Sequence, residues 1–293
     1  MQKTLYAYLD FIDERMSKKT KNAYALALRD FFVAVGGTDV PLTKETYIKF
    51  LKKTTGMNPA TQALYRSAVK GLYLFAADND PTIETSFFEQ TNKRLALRPA
   101  KSLILFNREG IEKILTHCNT MRSNITELRD RAFILLLADS GLRVSEACSL
   151  RIGSVDLLEN RAVVIGKGSK QAIVKFSQRV TDALRDYLEA REYTSKAAPL
   201  FIRHSKKAGD KIQQVKAGDM WHAIKARATE AGVDPATIRV HDFRHYFVTV
   251  VLASSGNLKL AQILARHEKI ETTGRYAHLV GDSDKAYDEI FNK

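Results

Sequence analysis

Apolar positions in the first eighty residues recur at helical spacing. Leu5, Tyr8, Leu9 and Ile12 fall on one face, as residues three and four apart do in a helix. Tyr24, Leu28, Phe31 and Phe32 repeat that spacing, with Thr20 read as the opening cap and Gly36-Gly37 as the stop. Thr43 opens a third helix through Ile48 and Leu51, and Asn58-Pro59 a fourth that carries Leu64, Ala68, Leu72 and Phe75. The aromatic stripe along these helices is expected in a core. Between residues 79 and 106 the periodicity weakens and Pro81 and Pro99 interrupt it, which reads as a short helix and a linker. Helical spacing returns at residues 107–118 and 126–140, where Gly141 ends the pattern, and a short helix starts at Ser145-Glu146. The period then changes to two. Residues 162–165 and 172–176 read as strands, joined by the basic tip Gly166-Lys167-Gly168-Ser169-Lys170. Helices are predicted again at 180–190, 218–231, 240–254, 257–265 and 284–291. The chain is thus expected to be mainly α with a small β-sheet: a helical domain at 1–92, a linker at 93–106 and a mixed domain at 107–293.

Composition sharpens this picture. The chain has 293 residues, enough for two domains with cores of their own. A hydrophobic content of 45% with 27% charged residues excludes general disorder. The formal net charge of +13 points to a polyanion such as nucleic acid, because Lys and Arg displace the counterions condensed on phosphates. Residues 1–98 hold 15 Lys and Arg against 10 Asp and Glu, and the remainder 31 against 23, so the excess is not a basic tail. Lys18, Lys19, Lys21, Arg66 and Lys70 are the candidate DNA contacts of the helical domain, although such charges are ordinarily a solvated face. Arg66 and Lys70 lie four apart and share one helix face.

Cys118 and Cys148 sit in apolar, helical patterns and are expected as buried free thiols of a reducing compartment. Neither spacing suits a metal site. The longest apolar runs are too short to span a bilayer, and the chain opens on charged, amphipathic sequence rather than an apolar signal core. A cytoplasmic, nucleoid-associated protein without membrane contact is expected.

Candidate chemistry lies in the second half. Arg143 follows a helix end, with Glu146 three positions on. The pair reads as an ordinary surface ion pair, or as an arginine held ready to grip phosphate oxygens while Glu146 orients it or a nearby histidine. Lys167 sits between two glycines at the hairpin tip, as a solubilising residue or as a mobile ammonium able to protonate a leaving oxygen; Lys170 is a second candidate. His241 and Arg244 share a helix face. His241 and His245 mimic half a zinc site, but Asp242 replaces the expected glutamate and no third ligand is evident, so no metal is assigned and His245 reads as a packed or hydrogen-bonding core histidine. His267 and Tyr276, nine positions apart, are each ordinary core residues when taken alone. Tyr6, Tyr24, Tyr47, Tyr65, Tyr73, Tyr187 and Tyr193 suit helix packing, and Tyr246 and Tyr287 remain weaker nucleophile candidates.

Together, these motifs resemble the tyrosine recombinase (phage integrase) family, in particular its compact Xer-type members. Gly141-Leu142-Arg143-Val144-Ser145-Glu146 is similar to the family's first arginine motif, Lys167 to its hairpin lysine, and His241-Asp242-Phe243-Arg244-His245 to its His-x-x-Arg box. His267 and Tyr276 match its second histidine and its nucleophile. The first hundred residues resemble the family's helical, SAM-like core-binding domain, with Thr20, Tyr24, Leu28 and Phe32 in the expected cadence. One departure is clear: the family's Leu-Gly-His before the nucleophile is Ala265-Arg266-His267 here. The resemblance implies a site-specific recombinase working through a 3′-phosphotyrosyl intermediate, without metal, nucleotide or other cofactor. It implies catalytic roles for Arg143, Lys167, His241, Arg244, His267 and Tyr276. The implied partners are a double-stranded DNA site and further copies of the chain, a monomer in solution and a tetramer on paired sites; the amphipathic stretch 284–291 is expected to pack on a neighbouring protomer, with a plain intramolecular cap as the alternative. Type IB topoisomerase-like relaxation and non-catalytic DNA binding are the rival readings.

Overall fold

The computed structural model describes residues 2–88, 105–166, 171–191, 195–204 and 212–276. The chain divides into two compact units, residues 1–100 and 101–293. The linker expected at 93–106 falls largely outside the described residues, and Lys167, Lys170, Tyr193, Tyr287 and the helix expected at 284–291 fall wholly outside them.

Among the described residues the first unit shows the helices α1 (Gln2–Arg15), α2 (Lys18–Val35), α3 (Lys44–Lys53) and α4 (Pro59–Asn79). The second helix opens earlier than expected. Ser17, not Thr20, is its cap, and the Ser17 hydroxyl accepts the backbone N–H of Thr20 at 3.3 Å. That bond satisfies one of the N–H groups a helix start leaves without a partner. Thr43 and Asn58 cap α3 and α4 as expected, and Gly36 ends α2 in the left-handed conformation at φ 107°. The aromatic stripe is core: Phe31, Phe50, Tyr47, Tyr73 and Phe88 are each at most 1% exposed and pack edge to face. Tyr6 differs from the packing role expected of it and lies 58% exposed.

The second unit contains α5 (Arg108–Cys118), α6 (Ile125–Ser140), α7 (Val144–Ser149), α8 (Gln178–Ala190), α9 (Ala217–Glu230), α10 (Asp242–Ser255), α11 (Leu258–Ala265) and α12 (Ile270–Gly274). An antiparallel sheet lies between α7 and α8, made of β1 (Val155–Asp156), β2 (Arg161–Ile165) and β3 (Gln171–Lys175) in that order. Ala162 faces Val174, and Val164 faces Ala172; these point to the core while Arg161, Val163 and Ile165 alternate outward. The continuous apolar run of α6 marks it as the central helix. Residues 131–138 are all buried, and α8 and α10 pack on it. Cys118 and Cys148 are buried free thiols, and burial pushes both up to about 12. Among the described residues no helix is long and apolar enough to cross a membrane.

Candidate active site

The end of α6 sets the first arginine. Gly141 takes the left-handed conformation at φ 62°, which ends the helix and lets the chain turn into α7 after two residues. Arg143 is the residue that flanks α7. Glu146, in the first turn of α7, reaches back so that one carboxylate oxygen accepts the Arg143 backbone N–H at 2.9 Å and the other accepts Arg143 Nη1 at 2.8 Å. The ion pair expected from sequence therefore exists, yet the Arg143 side chain stays 47% exposed while Glu146 is buried. Arg266 Nη2 adds a third bond to this carboxylate, at 2.7 Å. Burial works to raise the Glu146 pKa, but the Arg143 N–H and the two guanidiniums outweigh it and hold it below the usual carboxylate value. Among the described residues the hydrogen bonds to the Glu146 carboxylate come from the two arginines, not from a histidine.

Arg244 sits in the first turn of α10 and is 2% exposed. Its guanidinium donates to the carbonyls of Gly141 and Ala265, so it ties the turn after α6 to the end of α11. Among the described residues its hydrogen-bond partners are neutral, and the Glu146 carboxylate acts on it without a direct bond. Burial first, then the cations Arg143 and Arg266, lower its pKa to about 10, which still leaves it charged at neutral pH.

Two imidazoles contact the nucleophile candidate, and a third packs on one of them. His241 flanks the start of α10 and is exposed; its ring meets His245 edge to face, with centroids 4.8 Å apart. His245, one turn later, shares a hydrogen bond between Nδ1 and the hydroxyl of Tyr276. His267 Nδ1 lies 2.8 Å from Thr273 Oγ1, and its ring stacks 6.4 Å from that of Tyr276. Loss of water around the rings, followed by neighbouring cations and imidazoles, lowers all three pKa values, to about 4 for His245 and His267. Tyr276 itself is 2% exposed, packed with Val248, Leu252, Ala261 and Ala265, and burial raises its phenol to about 12.

An open pocket of about 700 Å³ lies in front of this group. Among the described residues its walls include Arg143, Glu146, Gln171, Arg266, His267 and Lys269, but not Tyr276, Arg244 or His241. The structure thus gathers Arg143, Glu146, His241, Arg244, His267 and Tyr276 from four helices and the turns beside them, with the phenol behind the pocket rather than in it. Tyr246 packs against the main core, away from this group. No group of three metal-binding side chains occurs among the described residues. Sequence reasoning missed the direct partners: Thr273 for His267, and Arg266 for Glu146. His245 was legible as a hydrogen-bonding histidine, but its partner was not. Its position four residues after His241 was the available signal.

In the first unit, Lys18 and Lys19 are exposed at the start of α2, whereas Lys21 pairs with Asp13 at 2.6 Å. Arg66 is half-buried and bonds Gln62 at 3.3 Å, and Lys70 lies 5.8 Å from the ring centre of Phe88. The five basic candidates therefore fall on α2 and α4 with unequal freedom.

The phage integrase family model matches residues 105–281, more than half of the chain. Tyrosine recombinase XerD of Yersinia pestis is 34% identical over 154 residues, 52% of this chain and 50% of that protein. The chain spans about half the length of the first relatives it matches, from Yersinia pestis and Corynebacterium glutamicum. Tyrosine recombinase XerD of Neisseria meningitidis serogroup B is 28% identical over 279 residues, 92% of this chain and 90% of that protein. Among solved structures, XerH site-specific recombinase bound to palindromic difH substrate, a post-cleavage complex, shows a TM-score of 0.75 at 21% identity, over 100% of this chain and 90% of that one. A lambda integrase dimer bound to a COC' core site shows 0.68 at 14% identity, over 94% and 95% of the two chains. At those identities the structural likeness is one of fold. With the family match covering every member of this cluster, the chain belongs to the phage integrase family, the tyrosine recombinases.

Proposed function

We propose that this chain is a site-specific DNA recombinase that cuts and rejoins strands through a 3′-phosphotyrosyl intermediate. The observation that carries this reading is the gathering of Arg143 and His267 on a pocket wall with Arg244 and Tyr276 packed directly behind it, inside the segment that matches the family. In the proposed step the Tyr276 oxygen attacks the scissile phosphorus, the bond to the 5′ oxygen breaks, and Lys167 protonates that oxygen as it leaves. The phenol proton passes to a histidine. His241 is the acceptor expected from sequence, and His245 holds the phenol in the resting arrangement. Arg143 and Arg244 stabilise the pentacoordinate transition state, with His267 donating to a nonbridging oxygen. The phosphotyrosyl bond conserves the energy of the broken one, so rejoining needs neither metal nor ATP. Double-stranded DNA is the partner, with a tetramer assembled on paired sites.

A nicked suicide substrate drawn from the DNA flanking the gene tests this. The wild-type chain is expected to form a protein–DNA adduct resistant to denaturation, and Tyr276→Phe to bind equally but form none, because only the phenol oxygen is lost. Adduct from the Phe variant moves the nucleophile elsewhere. No adduct from the wild type, with specific binding intact, favours the non-catalytic reading, and adduct with relaxation but no strand exchange favours a topoisomerase.

A further inference from the structure

Residue 266 is an arginine held in the left-handed conformation at φ 57°, which glycine adopts freely and other residues only at a cost. Its side chain is mostly covered, at 17% exposure, and turns back across the pocket wall to Glu146. Both oxygens of the Glu146 carboxylate are then engaged. Oε2 accepts both the backbone N–H of Arg143 and Arg266 Nη2, while Oε1 accepts only Arg143 Nη1. A carboxylate facing an arginine without a competitor favours a two-point grip that consumes the guanidinium fork. Here the second point is taken.

We propose that Arg266 is a positioning residue for Arg143: by occupying Oε2 of Glu146 it restricts that carboxylate to one side-chain bond with Arg143 and leaves the rest of the Arg143 fork for the phosphate in the pocket. The inference rests on the recombinase reading above. It also settles the charge balance. Arg143, Arg244 and Arg266 set three positive charges against the single negative charge of Glu146, which leaves two to meet the doubly negative pentacoordinate phosphate. Without Arg266 only one remains. Among the described residues, Arg143, Arg266 and Arg244 act on Glu146, while Glu268 and Lys269 line the same pocket.

The informative variant is Arg266→Gly, because glycine suits the backbone at this position and folding is retained. Cleavage on the suicide substrate is expected to slow by roughly 10- to 100-fold, the worth of one charge-assisted hydrogen bond, while half-saturating DNA concentration changes only slightly. Arg266→Lys should recover most of the rate. In a Glu146→Gln background the further loss from Arg266→Gly should nearly vanish, since the two act in series. Additive losses, or equal losses in binding and cleavage, overturn the proposal. Carbon-13 NMR titration of the Glu146 carboxyl without DNA supplies a readout independent of cleavage: its pKa should rise in Arg266→Gly, and an unmoved titration also overturns the proposal. If the wild type forms no adduct, the recombinase reading fails, and the titration still decides whether Arg266 holds the carboxylate.

Discussion

His245 and Tyr276 show how burial sets the behaviour of single side chains. A histidine whose pKa is lowered to about 4 in the fold stays neutral where the unfolded chain, near its ordinary value of about 6.5, already takes up a proton. The unfolded state gains as pH falls, so this contribution to stability is full above about pH 6.5, is lost on the way down to about 4, and levels off below. His204 and His267, also lowered to about 4, act in the same direction. The second unit is therefore expected to lose stability between pH 6.5 and 4. His245→Gln, which keeps an acceptor for the Tyr276 hydroxyl but cannot be charged, should show a shallower loss. Denaturant midpoints for both chains at pH 7, 6, 5 and 4.5 measure this. Parallel curves would mean that His245 titrates normally in the fold.

At the scale of elements, the turn between α6 and α7 carries the most structure per residue. Gly141 has φ 62°, and a Cβ built on it would lie 2.4 Å from Phe247 Cδ1. Its carbonyl also receives Arg244. Gly141→Ala is expected to destabilise the protein by about 1–3 kcal/mol, from left-handed strain and the displaced ring, and to lower cleavage by moving both arginines. Chemical denaturation checks the first part and the suicide substrate the second; wild-type stability would place no demand on this turn. The same turn explains what was legible beforehand. Gly141, Thr43 and Asn58-Pro59 announce element ends through local chemistry, and α6 announces itself by an unbroken apolar run, so most helices were readable. Two elements were not: β1 has only two residues and α12 only five, too few to show a period. Ser17 was overlooked because a serine and a threonine three apart both suit a cap, and the Ser17 hydroxyl proves to be the acceptor. The polar partners in the site were hidden for another reason. The bond between Arg266 and Glu146 joins residues 120 positions apart, and only folding brings them together.

For the whole molecule, binding to DNA as proposed would depend on salt at a net charge of +13, because each phosphate neutralised releases a counterion. Lys18 and Lys19 are exposed, while Lys21 already pairs with Asp13. Lys18→Ala and Lys19→Ala should each weaken binding evenly across sequences and reduce the slope of log affinity against log salt by about 1, with a smaller change for Lys21→Ala. Fluorescence anisotropy over a salt series reads the slopes, and unchanged slopes would remove the start of α2 from the DNA surface. On the recombinase reading the same charge favours residence on DNA of any sequence, and there the burial of Tyr276 acquires its meaning. Damage from a wandering nuclease scales with occupancy multiplied by the fraction of time its nucleophile is bared. Occupancy is high for so cationic a chain, so only the second factor is left to keep a genome intact. Each ~1.4 kcal/mol by which the packed phenol is favoured over an exposed one lowers stray nicking tenfold. On the recombinase reading, a few methyl groups around one aromatic ring would let the protein search DNA widely without scarring it.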